Sequence, residues 1–320
     1  MELCVFINNS EHLDNQLQSM DIVGKPGPEY VQMMDSDVKV NQTALSILKK
    51  YYDLQLGQYY KDYISRIYFG NETCEYLIPA LGEVQKVFKY CADNEYGFTY
   101  VAPYTGPNGM EKLRDIFEFL KDKEDVEVVV NDFGVLQLIL TEFKSIKPII
   151  GRLLVKTKRD PRFSVTGYDY SPNQLKNTSK VEKNQTEAIM SSSFENKTLQ
   201  KFLIDKGVTR ISLDSLPQGY EKKTLKGWQL PADIFWPWTY ITSGRLCAIA
   251  AHTDTRRKYN LVDRPCNKQC RMYEFNFESD KQMLQTVQRG NAVWMDNESN
   301  YLENFKAGFE RLVFMPYIPI

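Results

Sequence analysis

Short runs of β-branched and aromatic residues recur along the chain, separated by stretches in which apolar positions return every three to four residues. ELCVFI at 2–7, SRIYFG at 65–70, FTYVAP at 98–103, VEVVV at 126–130, KPIIGRLL at 147–154, VTRISL at 208–213, ADIFWPWTYI at 232–241 and RLVFMPYIP at 311–319 have the length and composition of strands. Helices are expected between several of them, at 43–60, 77–91, 109–121, 132–143 and 194–206. Strands that alternate with amphipathic helices are joined by crossovers, which return each strand parallel to the last. About eight such strands predict an α/β fold, an irregular TIM-type β/α barrel. The final third is rich in strands and poor in helices, which predicts a strand-rich C-terminal part. An open doubly wound sheet is the alternative, although no Gly-rich phosphate turn follows any early strand.

Barrels of this type routinely run to 320 residues as one unit, so residues 1–320 are expected to form a single domain. Residues 164–193, rich in Ser, Asn and Lys and poor in large aliphatics, interrupt the alternation and predict a polar surface insertion. With 42% hydrophobic and 25% charged residues, the composition is that of a globular protein. No apolar run approaches the roughly 20 residues that span a bilayer. The opening residues lack a basic n-region and read as a first strand, so a cytoplasmic location is expected. A formal net charge of −1 with dispersed basic residues gives no global electrostatic argument for nucleic acid or acidic lipid as a partner, and leaves a local patch open.

The chain has six cysteines, and in a reducing compartment metal or redox roles are commoner than structural disulfides. Cys247, Cys266 and Cys270 form a Cys-x18-Cys-x3-Cys array in one stretch, and three thiolates from one stretch can cap a metal centre. Cys74 follows a predicted strand, at the position where barrels carry their active face. Cys4 lies within the first strand and Cys91 at a helix end, the setting of buried small hydrophobes. The residues alone leave three readings open: an iron-sulfur cluster, a zinc site, or unligated buried thiols. The long middle gap fits poorly with zinc sites, whose ligands usually come in close pairs on both sides.

IYFGNETCEYL, VVNDFGVLQL, GRLLVKTKRDPR, YITSGRLCAIAAH and DRPCNKQC together resemble the collagenase-like peptidase family U-thirty-two (U32), in particular its ubiquinone-biosynthesis branch of UbiU/UbiV-like proteins. The resemblance runs from about residue 60 to the C-terminus. It implies a 4Fe-4S cluster on Cys74, Cys247, Cys266 and Cys270, the last two following Asp-Arg-Pro. The gap between the second and third ligands is longer here than in that branch. The resemblance further implies a part in an oxygen-independent hydroxylation system, acting on a quinone precursor or an RNA base. A second, UbiU-like family member is the implied heterodimer partner.

Two other function classes are carried forward. One is a non-catalytic iron-sulfur scaffold or electron-transfer subunit, which the cysteine pattern does not distinguish from an enzyme. The other is a peptidase. Cysteine catalysis needs an imidazole in reach of the thiol, the chain offers His12 and His252, and no HExxH metalloprotease motif occurs. A separate basic cluster, Arg152, Lys158, Arg159 and Arg162 at and beyond the end of the fifth predicted strand, is a candidate site for a small anionic metabolite, because guanidinium forks suit carboxylates and barrel strand ends carry the active face, with a solvated basic loop or a partner-binding edge as its plainer reading. Asp132, after the fourth strand, is a candidate for the same mouth, with a helix N-cap as its plainer role.

Overall fold

In the computed structural model, which describes residues 1–10, 42–52, 60–159, 190–220, 227–257, 266–277, 284–298 and 308–320 with Leu13 and Ala188, every predicted strand is found. In chain order the strands are β1 (Glu2–Ile7), β2 (Ile64–Gly70), β3 (Gly97–Ala102), β4 (Val126–Val130), β5 (Lys147–Ile150), β6 (Arg210–Asp214), β7 (Ala232–Trp236), β8 (Trp238–Ser243), β9 (Glu274–Phe277), β10 (Thr286–Arg289), β11 (Ala292–Asp296) and β12 (Arg311–Phe314). Eight of them close a parallel barrel in the order β1-β12-β7-β6-β5-β4-β3-β2. The other four form an antiparallel sheet in the order β8-β11-β10-β9. This is the α/β TIM-like architecture that the alternation predicts, and its strand-rich C-terminal part is the antiparallel sheet inserted between β7 and β12.

Three predicted strands differ in detail, and one of them, the run at 311–319, is strand only as far as Phe314. The run at 232–241 is two strands, because Pro237 has no N–H to continue a ladder and the chain leaves the barrel there. The run at 147–154 ends at Ile150, where the backbone turns at Gly151. Strands β9, β10 and β11 lie outside the predicted runs. Most of the polar insertion at 164–193 lies outside the described residues, as do His12 and Arg162.

Helices α1 (Gln42–Tyr51), α2 (Leu81–Asp93), α3 (Pro107–Leu120), α4 (Phe133–Glu142) and α5 (Lys197–Asp205) overlap the predicted stretches to within two residues at the ends that overrun them, and a short α6 (Ala248–Thr253) lies in the inserted segment. Helical spacing decides what each buries. In α3 the buried positions Leu113, Ile116, Phe117 and Leu120 follow the i, i+3, i+4, i+7 stripe, and Pro107 opens the helix where its missing N–H costs nothing. In α2 the stripe is Val84, Val87 and Cys91, so Cys91 faces the core between barrel and helices.

The barrel interior is layered. Arg66, Thr99, Glu127, Arg210, Asp233 and Arg311, all buried, make a charged layer near the N-terminal ends of the strands. In it Arg311 bonds Glu127 at 2.7 Å and Arg210 bonds Asp233 at 2.6 Å. Above this layer Cys4, Phe6, Tyr68, Val101, Val129, Ile149, Phe235, Val313 and Met315 form an apolar layer. The antiparallel sheet lies across the C-terminal mouth, tied down by Thr239 Oγ1 to Ser215 O (2.5 Å) and Tyr240 N to Asp214 Oδ1 (2.8 Å).

Candidate functional site

The centre of the mouth is filled by charge. Arg152 has no exposed surface, and its guanidinium donates to Glu72 from Nε (3.0 Å) and Nη2 (2.6 Å), and from Nη1 to Asp214 (2.9 Å) and Trp238 O (2.7 Å). The rings of Phe235 and Trp294 lie 4.7 and 5.0 Å from its Cζ. Arg159 donates to the other oxygen of Asp214 at 2.6 Å. Of the guanidiniums predicted to bind an anion, Arg152 and Arg159 thus pair with the protein's own carboxylates. Lys158 is exposed, and Asp132 caps α4 by accepting from Gly134 N at 2.6 Å. The structure brings Arg152 and Arg159 together through Asp214, and assigns Asp132 a capping role.

A pocket opens at the rim of the mouth, between the loops after β2 and β3 and the inserted segment. Cys74, Cys247, Cys266 and Cys270 all line it, with Thr73, Tyr104, Arg245 and Asn291 among their neighbours. The chain reaches this rim through Gly70, whose φ of +139° and whose close approach to Val101 O leave no room for a Cβ. Asn71 Oδ1 then accepts from the N–H groups of Thr73 (2.9 Å) and Cys74 (2.7 Å), a side-chain turn that presents Cys74. Glu75 joins this loop to the one after β3 by accepting from Gly106 N at 2.9 Å.

The other three cysteines come from the segment between β8 and β9. Cys247 caps α6, its Sγ accepting from Ala250 N at 3.4 Å. Cys266 Sγ accepts from Lys268 N at 3.4 Å. Cys270 is buried in a turn over Gln269–Arg271, against Ile249, Val287, Ala292, Trp294, Ile318 and Ile320. Arg289 holds that turn by donating to Cys270 O at 2.9 Å. The two-residue hairpin between β10 and β11, with positive φ at Gly290, presents Asn291, whose Nδ2 lies 2.5 Å from Thr73 O, 2.8 Å from Tyr104 Oη and 2.9 Å from Gly244 O. It stitches the Cys74 loop to the inserted sheet.

None of the six cysteines is in a disulfide. Burial pushes the Cys74 thiol up to about 12, with Cys270, Cys247 and Cys266 adding to the rise through mutual repulsion of thiolates. Burial likewise raises Cys270 to about 11, with Cys247 and Cys266 again contributing. Four thiols lining one pocket are a donor set suited to a cationic centre, whose charge compensates the thiolates. The apolar wall behind Cys270 shields such a centre from water. Among the described residues, no group of three or more His, Cys, Asp or Glu side chains is arranged around a single-ion position. Cys4 lies inside the barrel, 3.7 Å from Ser65 Oγ, and is buried with its thiol raised to about 12. His252 is exposed, its ring against Tyr273 and Phe275, and it does not line the pocket.

A solved structure described as a U32 peptidase is similar to this chain. The two share 11% identity over 80% of this chain and 85% of that one, with a TM-score of 0.36. No protein-family model and no curated protein matches. No helix among the described residues is long and apolar enough to cross a membrane.

Sequence reasoning did not single out Thr73, Tyr104, Arg245 or Asn291, nor the carboxylates Glu72 and Asp214. A usable signal existed for the first of these: Asn71 three residues before Cys74 is the spacing of a side-chain turn. Asn291 carried none, because its three partners lie 47 to 218 residues away in the chain.

Proposed function

We propose that Cys74, Cys247, Cys266 and Cys270 hold an iron-sulfur cluster of the 4Fe-4S type, and that the protein is the cluster-bearing component of an oxygen-independent hydroxylation system. The observation that carries the first part is that four cysteines from distant positions line one pocket, while Cys4 and Cys91 lie elsewhere. Four thiolates are the usual complement of a cubane cluster. The bound cluster would supply one-electron chemistry. The second part rests on the sequence resemblance to the quinone-biosynthesis branch, with a quinone precursor or an RNA base as the substrate.

The chain's own residues divide the remaining work. Asn71 and Glu75 hold the loop that carries Cys74, Arg289 holds the turn that carries Cys270, and the apolar wall excludes water. Arg245 and Tyr104 line the open side of the pocket, where a small molecule would approach.

The exposed side chains of Met272, Tyr273, Phe275 and Phe277, which follow the cysteine pair, favour a second reading as an electron-transfer subunit docked on another protein. A UbiU-like second family member is the partner proposed in either case. Anaerobic purification with iron and acid-labile sulfide analysis tests the cluster. A brown protein with four irons per chain is the expected result, and a colourless protein that binds zinc or no metal overturns the proposal.

A further inference from the structure

Thr73 has no exposed surface, and its hydroxyl has no hydrogen-bond partner among the described residues. A buried hydroxyl left unpaired costs free energy, so such a group in a well-packed site points to a missing acceptor or donor. Its backbone is held from both sides: its N–H donates to Asn71 Oδ1 at 2.9 Å, and its carbonyl accepts from Asn291 at 2.5 Å. The hydroxyl therefore has one torsion with which to find a partner. Thr73 lines the pocket that the four cysteines line and immediately precedes Cys74. Both neighbouring carboxylates are engaged elsewhere, Glu72 by Arg152 and Glu75 by Thr105 and Gly106.

We infer that Thr73 Oγ1 donates a hydrogen bond to a sulfur of the cluster held by the four cysteines and thereby raises its reduction potential, an inference that rests on the cluster reading above. Each electron taken up makes the cluster more negative, so a donor aimed at its sulfur stabilises the reduced form more than the oxidised one. Hydrogen bonds to the sulfurs are among the factors that set cluster potentials. Thr73 is here a tuning residue that acts on the cluster's electronics and is not one of its ligands.

The test is a potentiometric titration of the anaerobically prepared full chain, followed by absorption and electron paramagnetic resonance, for wild type, Thr73→Val, Thr73→Ala and Thr73→Ser. Iron and sulfide content is measured in each. The expected result is an equal cluster content in all four, a more negative midpoint potential in Thr73→Val and Thr73→Ala, and a near wild-type potential in Thr73→Ser. Valine keeps the methyl group that serine and alanine lose, so a potential that follows the hydroxyl and not the methyl identifies the hydrogen bond. If Thr73→Val fails to fold, Thr73→Ala carries the comparison. An unchanged potential in the loaded Val and Ala proteins overturns the role of Thr73 while leaving the cluster in place. A wild-type protein without iron overturns the cluster reading itself, and this inference with it.

Discussion

A cysteine in this chain is distinguished by what its sulfur faces. Cys91 faces a helix-barrel seam of Val and Leu, Cys4 faces a serine inside the barrel, and the remaining four face a shared pocket. Serine at Cys74, Cys247, Cys266 or Cys270 is expected to strip or destabilise the chromophore, measured by absorption and iron content. Serine at Cys91 should leave iron unchanged and cost about 1–3 kcal/mol for a buried hydroxyl without a partner. At Cys4 the cost should be smaller, because Ser65 Oγ offers a partner. Asp296 gives a separate test by pH. Burial, with help from Glu298, raises its carboxyl from 3.8 to about 6. The folded state then holds a proton that the unfolded state has released, so stability from this group falls as pH rises between about 4 and about 6. Asp296→Asn keeps an acceptor for Glu298 N and removes the titration. Its stability advantage over wild type, from chemical denaturation, should grow across that window and level off above it. A difference that stays flat with pH would show that Asp296 does not titrate there.

At the scale of elements, the loop after β2 is held from three directions. Asn71 turns it, Asn291 of the β10–β11 hairpin grips the Thr73 carbonyl, and Arg152 from the loop after β5 grips Glu72. Arg152 and Glu72 are both fully buried, so their pairing is less a source of net stability than a constraint that becomes costly when half of it is removed. Arg152→Ala leaves Glu72 buried without its cation, while Asp214 keeps Arg159. The expected loss is about 3–5 kcal/mol by chemical denaturation. Arg152→Lys should recover only part of it, since an ammonium cannot reproduce the fork shared between two carboxylates and the Trp238 carbonyl. Equal stability of wild type and Arg152→Ala would mean that Glu72 takes up a proton or water instead.

At the scale of the whole molecule, the inserted sheet closes the barrel's usual active face and moves the candidate site to its rim. The exposed Phe275 and Phe277 of β9 and the neighbouring Met272 and Tyr273 form an apolar face of the kind that marks an interface. Co-expression with a neighbouring U32-like chain should give one heterodimer peak by size exclusion, weakened in a Phe275→Ser, Phe277→Ser double variant. Two monomer peaks from the wild-type pair would count against the partner. The barrel was legible in the chain because each of its strands is a local run rich in β-branched and aromatic residues, as a strand buried on both faces requires outside the charged layer at its N-terminal end. The spacing Cys-x18-Cys-x3-Cys marked three of the pocket cysteines for the same reason, being local. Local pattern could not tell that Arg152 and Arg159 are spent on Glu72 and Asp214, or that Thr73 and Asn291 line the pocket. Those pairings join residues 55 to 218 positions apart. Whether a guanidinium meets a ligand or a carboxylate of its own chain depends on which side chains share a low-dielectric volume, and that volume exists only once the barrel has closed and the sheet lies across it.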